Sequence, residues 1–438
     1  MNMEKDSRKM PGPLGEMDEK SLRQEASQLV ANYRDFKRRG LSLNMARGKP
    51  SSQQLDLSMG MLDMLDGKSV LEFASGLDVR NYGGLEGLPE ARELLASLVD
   101  ARGDQAICFG NASLTVMYDM ISRAMTHGIC GHTPWGQLPV VKFLCPVPGY
   151  DRHFAMTEHF GIRMINVPMY EDGPDMFMVE NLVKNDASIR GIWCVPKFTN
   201  PQGYVYSAET VERFSKLKPK AKDFRIFWDN AYCVHYLYNE IEIPNILALC
   251  EKEGNPDMVY EFVSTSKISF AGAGISAMLS SHRNLEDIKK SMAVQTISHD
   301  KVNQLRHTMF FKSKEGVLAH MRKHAVILAP KFEMVLSILE RDLSGRDAGT
   351  WSRPRGGYFI TFEAKEGCAA RIIKLAKNAG VLLTDAGAPF PYHRDPHDSV
   401  IRIAPSFPTL EALEQATDIF TICAKIATIE KILQEELV

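Results

Sequence analysis

Between about residues 100 and 281, short apolar runs alternate with stretches of helical periodicity. No other feature of the 438-residue chain restricts its fold as much. Seven runs read as strands: 107–109, 140–145, 164–167, 192–195, 226–228, 259–263 and 275–279. Helical patterns such as 113–124 and 208–216 lie between them. Parallel strands need a crossover, and the crossover helix covers a face of the sheet. The alternation therefore predicts an α/β fold with a mostly parallel seven-stranded sheet and helices on both faces.

Two outer segments frame that region. Leu22, Ala26, Leu29, Val30, Tyr33 and Phe36 recur at helical spacing, giving an amphipathic helix over 20–39 that Gly40 ends. After Lys301 long helices run to about Leu343, then a smaller strand set follows at 358–362, 381–384 and 400–403, and a helix closes the chain over 410–433. The expected division is a small α+β domain from both chain ends, 1–61 and 322–438, around a large domain, 62–321.

Composition excludes several function classes. Apolar residues make up 45% of the chain and charged residues 24%, as in ordinary globular proteins. A net charge of −2 without a long basic run offers nothing to nucleic acid. No apolar stretch of about 18 residues is present to span a membrane. The polar stretch 1–19 lacks the apolar core of a signal peptide, so a cytoplasmic location is the default expectation. The eight cysteines are scattered without a CxxC pair and read as reduced, buried small hydrophobes. His320 and His324 stand four apart on a helix, but Arg322 and Lys323 between them suggest a solvated cationic face, and no metal is expected.

The chemistry gathers where strands end. Val263-Ser264-Thr265-Ser266-Lys267 closes an apolar run and leads into a glycine-rich turn. Hydroxyls and free amides suit a phosphate, and a lysine in an apolar setting can attack a carbonyl as a neutral amine. A phosphorylated aldehyde satisfies both. Gly110-Asn111-Ala112-Ser113 leaves a strand and opens a helix, whose first-turn amides also suit a phosphate, although an ordinary capped helix reads equally well. Tyr150 follows another strand at the sheet's carboxyl edge, where a flat ring could stack on it or where it could simply fill core. Asn200-Pro201 forms a turn that aims the Asn200 amide at the strand ends. Asp229 directly follows an apolar strand, so it either caps a helix or, if buried, needs a partner such as a pyridinium N–H. Tyr232, three residues on, could reach the ring's phenolic oxygen.

In this order, from about residue 20 to 430, the motifs resemble the fold-type I, class I aminotransferases that use pyridoxal 5'-phosphate, and are similar to a divergent subgroup of aspartate aminotransferases. Gly48, Tyr82 in Asn81-Tyr82-Gly83-Gly84-Leu85-Glu86-Gly87-Leu88, Ala112, Ser113, Tyr150, Asn200, Asp229, Tyr232, Ser264, Lys267 and Arg402 carry the resemblance. It implies that Lys267 forms the internal aldimine and shuttles the proton, and that Asp229 keeps the pyridine nitrogen protonated. Asn200 and Tyr232 would bind the ring oxygen, Tyr150 would stack, and Ala112, Ser113, Ser264 and Ser266 would hold phosphate. Tyr82 would reach the neighbouring subunit's phosphate, which implies a homodimer with shared active sites. Gly48, Asn200 and Arg402 would contact the amino acid or 2-oxo acid substrate, with Arg402 gripping the α-carboxylate as a bidentate fork.

The chain departs from the family where an arginine commonly stands eight positions after the lysine, because Ile275 occupies that place. Phosphate anchoring must then lean on amides, serines and Tyr82, or on another cation. Gly272-Ala273-Gly274-Ile275-Ser276-Ala277 also fits a dinucleotide fingerprint, but it leads into an apparent strand. The expected reaction is ping-pong amino transfer between aspartate and 2-oxoglutarate; the distal-carboxylate cation is sought in 299–307 or at Arg47, Lys49, Arg353 or Arg355, with Lys301 or Arg306 preferred. The alternatives are an alanine or aromatic amino donor, a lyase on the same fold, and a ligand-sensing regulator. Arg402 argues against an α-decarboxylase. The stretch ahead of Arg47 is too short for a DNA-binding domain and its linker.

Overall fold

A computed structural model of the chain describes residues 12–72 and 76–438. Residues 1–11, part of the polar N-terminal stretch and of the expected small domain, lie outside the described residues, as do 73–75. All seven expected strands form one sheet. In spatial order they are Ala106–Phe109, Ser276–Leu279, Val259–Ser264, Arg225–Asp229, Ile189–Cys194, Lys142–Val147 and Arg163–Tyr170. An eighth strand of two residues, Gly173–Pro174, adds an antiparallel edge. The five strands from Val259–Ser264 to Arg163–Tyr170 run parallel, and Ser276–Leu279 is antiparallel to both its neighbours.

The central strands are buried along their whole length, which explains their near-continuous apolar runs. Phe227, Tyr260 and Phe262 pack with Phe143 and Trp193 on one face, while Trp228, Val259 and Val263 pack on the other. Because the strands run together, Val147, Cys194, Asp229 and Ser264 all end at the same edge. The residues that follow them in sequence gather there, outside the carboxyl ends of the strands.

A second apolar core joins the helices Glu19–Arg38 and Leu410–Leu433 to the far half of Lys314–Leu343. Val317 and Met321 near the start of that long helix pack in the first core, and Leu328 to Leu343 in the second, so one helix spans both. Against the second core lies an antiparallel sheet of Gly349–Trp351, Ile360–Ala364 and Val400–Ile403. Leu43–Asn44 pairs in parallel with Val381–Leu382. No helix is long and apolar enough to cross a membrane among the described residues.

The histidine expectation needs correction. His320 and His324 do not face solvent, because both are buried on the inner side of Lys314–Leu343. His320 Nε2 lies 3.0 Å from the Ile268 carbonyl and 3.1 Å from His324 Nε2, and the Gln54 amide lies 3.1 Å from His324 Nδ1. The described residues contain no cluster arranged to hold a metal. Burial pushes His324 and His235 down to about 3 and His307 to about 4, from 6.5. Folded values below the unfolded one mean that each contributes stability above pH 6.5 and loses it as pH falls towards 4. Urea-unfolding midpoints should therefore stay level above pH 7 and fall steeply between pH 6.5 and 4. A midpoint unchanged at pH 4.5 would contradict this burial.

Candidate active site

Lys267 sits in the tight turn after Val259–Ser264. The Thr265 amide donates to the Ile275 carbonyl (2.9 Å), and the Ile268 amide donates to the Thr265 carbonyl (2.9 Å). This closes the glycine-rich loop onto the strand Ser276–Leu279, so the loop does not open a helix as a dinucleotide fingerprint would. The Lys267 ammonium lies 4.8 Å from the centre of the Tyr232 ring. Among the described residues no hydrogen bond holds it. Burial pushes its pKa down, and the Asp229 carboxylate opposes only part of that shift. An amine in this state is free to react with a carbonyl.

Asp229 ends its strand almost fully buried. Its Oδ2 lies 3.0 Å from His153 Nε2, whereas Oδ1 has no partner among the described residues. His153 is held in turn by stacking on Trp193, with ring centres 4.2 Å apart and planes 7° apart. Trp193 donates through Nε1 to Thr157 (2.8 Å), whose hydroxyl donates to the His153 carbonyl (2.7 Å). The edge of Tyr150 completes this wall, its ring centre 4.9 Å from that of His153. Sequence reasoning missed His153. Its place three residues after Tyr150, on the helix Asp151–His159, was the available signal. Burial pushes the phenols of Tyr150 and Tyr232 well above their usual range, so both stay neutral hydroxyls.

At the other end the helix Ser113–His127 begins at Ala112, which supplies no side-chain cap. Its first-turn amides lack intrahelical partners and carry the positive end of the helix dipole. Ser264 donates to Ser266 (3.2 Å), and Ser266 donates to the Asn111 carbonyl (2.9 Å), which ties the lysine turn to this helix start. Ile275 is buried in the first core, so the family's arginine position is filled by an apolar contact here.

Arg402, on Val400–Ile403, reaches the same cleft. Its Nη1 donates to Asp151 (2.9 Å) and Asn200 (3.3 Å), its Nη2 donates to Thr384 (3.2 Å), and its Nε is buried without a partner among the described residues. The guanidinium carbon lies 4.8 Å over the Phe359 ring. Gly48 lets that ring approach, because a Cβ at Gly48 would meet it at 2.4 Å. Tyr82 is 78% exposed on a loop whose Gly83, Gly84 and Gly87 all have positive φ. Lys301 donates to the Asn81 carbonyl (2.9 Å) and to Ser298 (3.0 Å), at the root of that loop. Arg306 donates to Asn303 (2.5 Å), which holds the Ala273 and Gly274 carbonyls. Among the described residues neither cation contacts Lys267 or Arg402.

An orphaned carboxylate oxygen, a free amine and a cradle of hydroxyls and amides gather at the carboxyl edge of the sheet. Their chemistry fits pyridoxal phosphate, with its ring nitrogen, aldehyde and phosphate. Fold and site together define a fold-type I pyridoxal-phosphate enzyme. The comparisons narrow the class. The family model described as aspartate amino-transferase matches residues 17–436. A protein described as an aspartate aminotransferase from Corynebacterium glutamicum is 45% identical, covering 91% of this chain and 92% of its own. One described as a putative aminotransferase from Mycolicibacterium smegmatis is also 45% identical, covering 92% and 95%. The crystal structure of an aspartate transaminase from Corynebacterium glutamicum superposes with a TM-score of 0.93 at 42% identity, covering 96% of this chain and 99% of that one. The chain belongs to the aspartate aminotransferase family, and it is an aminotransferase with pyridoxal phosphate as its cofactor.

Proposed function

We propose that this aminotransferase exchanges the amino group of aspartate with 2-oxoglutarate by a ping-pong route. The observation that carries the reading is Arg402, a buried guanidinium with a free Nε–H in the Lys267 cleft. The C. glutamicum relative described as an aspartate aminotransferase supports the choice of donor. Bound pyridoxal phosphate supplies the electron sink for the charge left at the substrate α-carbon. Lys267 would hold the cofactor through its aldehyde and move the α-proton, because its lowered pKa keeps a basic amine in reach. Asp229, oriented by His153, would use Oδ1 to hold a proton on the ring nitrogen. Asn200 and Tyr232 would bind the ring oxygen, Tyr150 would stack, and Ala112, Ser113, Ser264 and Ser266 would bind the phosphate. The domains remain proposed as a small one of 1–61 and 322–438 around a large one of 62–321; among the described residues, the second core gathers most of its members from 14–45 and 328–429, which supports that division. Eight unpaired cysteines accord with the reducing cytoplasm.

Two carboxylates need two cations. Arg402 would bind the α-carboxylate common to all amino acids, with Gly48 and Asn200 beside it. Lys301 or Arg306 would bind the distal one. Losing the charge partner of a desolvated carboxylate costs about 2–5 kcal/mol, roughly 30- to several-thousand-fold in kcat/KM. Arg402→Ala should depress aspartate and alanine alike, whereas Lys301→Ala or Arg306→Ala should depress aspartate selectively. A donor screen against 2-oxoglutarate tests the assignment directly. Preference for alanine or an aromatic donor would end the dicarboxylate reading.

We propose a homodimer with shared sites, and the surface beside Tyr82 supports it. Met59, Leu62, Val302 and Met309 are 38–49% exposed where the turn Met59–Asp63 packs on the helix Lys301–Phe311. Exposed apolar side chains grouped in this way are suited to contact with a second copy of the chain. Lys301 holds the root of the Tyr82 loop, and the exposed Tyr82 would reach the partner's cleft. Mixing Tyr82→Ala with Lys267→Ala should then regain activity that neither variant has, because hybrid dimers restore one complete site. A mixture no better than the sum of its parts would count against shared sites.

A further inference from the structure

We infer that Asp151 is an internal carboxylate that occupies the substrate-carboxylate arginine of the empty enzyme and must yield it when a substrate enters. The inference rests on the aminotransferase reading with Arg402 as the α-carboxylate anchor.

Asp151 opens the helix Asp151–His159, directly after Tyr150 and two residues before His153. The fold thus delivers it to the cleft by the same turn that delivers the ring-stacking tyrosine. Its Oδ1 accepts from Arg402 Nη1 at 2.9 Å, and the two side chains are 25% and 8% exposed. Arg402 belongs to the sheet of the second core, so this ion pair bridges the two halves of the cleft. Both Nη1 protons are committed, one to Asp151 and one to Asn200. The fork formed by Nη1 and Nη2 is therefore closed to an incoming carboxylate while Asp151 stays.

The consequence is competition. A guanidinium beside a carboxylate presents little net charge to an anion, and a site only partly available binds more weakly by the unavailable fraction. Asp151 therefore lowers affinity for every substrate that uses Arg402, by a common factor, and leaves discrimination between side chains untouched. The exchange also helps turnover. In a ping-pong enzyme each product leaves from the same arginine, and a carboxylate poised to retake it speeds departure.

Asp151→Asn tests this, because the amide can still accept from Nη1 while its charge is gone. With cofactor-loaded enzyme, the dissociation constant of maleate, an unreactive dicarboxylate, should fall roughly tenfold, the size of one charge-assisted hydrogen bond. The KM values for aspartate, alanine and 2-oxoglutarate should fall together, with the aspartate-to-alanine selectivity unchanged. Asp151→Glu keeps the charge and should not tighten maleate. Weaker or unchanged maleate binding in Asp151→Asn, or equal effects of the two variants, would overturn the inference. A loaded wild-type enzyme that fails to bind maleate at all would overturn the dicarboxylate reading, and an alanine KM unchanged in Asp151→Asn would then still overturn this inference.

Discussion

Lys267→Ala should lower kcat/KM for every amino donor by roughly ten-thousand-fold or more, since one substitution removes both the covalent anchor and the proton carrier. The chain holds another buried lysine that sharpens the test. Lys197 also has its pKa pushed down by burial, but its ammonium donates to the Cys233 carbonyl (2.9 Å) and the Tyr236 hydroxyl (2.8 Å). Those bonds hold the charged form in place, whereas among the described residues no hydrogen bond holds the Lys267 ammonium, which lies over the face of Tyr232. Borohydride reduction of the yellow holoenzyme should fix the cofactor mass on the peptide containing Lys267 and on no other. Label on the Lys197 peptide, or a Lys267→Ala protein with near-normal turnover, would remove Lys267 from the chemistry.

The sheet was legible because each central strand is buried on both faces and reads as an apolar run. The strands that escaped notice owe their existence to pairing. Gly349–Trp351 is three residues long and forms only because Ile360–Ala364 lies opposite. Gly173–Pro174 has a proline, tolerable at an edge strand alone. The site divides in the same way. Asp229 and Lys267 stand out as polar residues at the ends of apolar runs, so local sequence marks them. His153 meets Asp229 from 76 positions away, and Asp151 meets Arg402 from 251, so only the tertiary fold joins those pairs. His320 and His324 were readable in principle. They share the helix face of Val317, Met321 and Leu328, all buried, while Arg322 and Lys323 point to solvent. The intervening charges drew attention from the correct period.

Asp229→Ala should cost roughly 30- to several-thousand-fold in kcat/KM, the range expected when a buried charge loses its partner, about 2–5 kcal/mol. The unpartnered Oδ1 is the reason to expect the upper part of that range. A buried carboxylate oxygen left bare is unfavourable unless a donor meets it. The ring nitrogen of the cofactor is the donor this cleft can receive. Cofactor affinity, read by titrating the apoenzyme with pyridoxal phosphate, should fall as well. Asp229→Glu should recover part of both losses, since it keeps the charge and misplaces it by one methylene. His153 touches the reaction only through Asp229, so His153→Phe alone should cost less, and it should cost almost nothing once Asp229 is alanine. Losses that simply add in the double variant would mean that His153 acts independently, and near-normal turnover in Asp229→Ala would mean that Oδ1 is not the partner of the ring nitrogen.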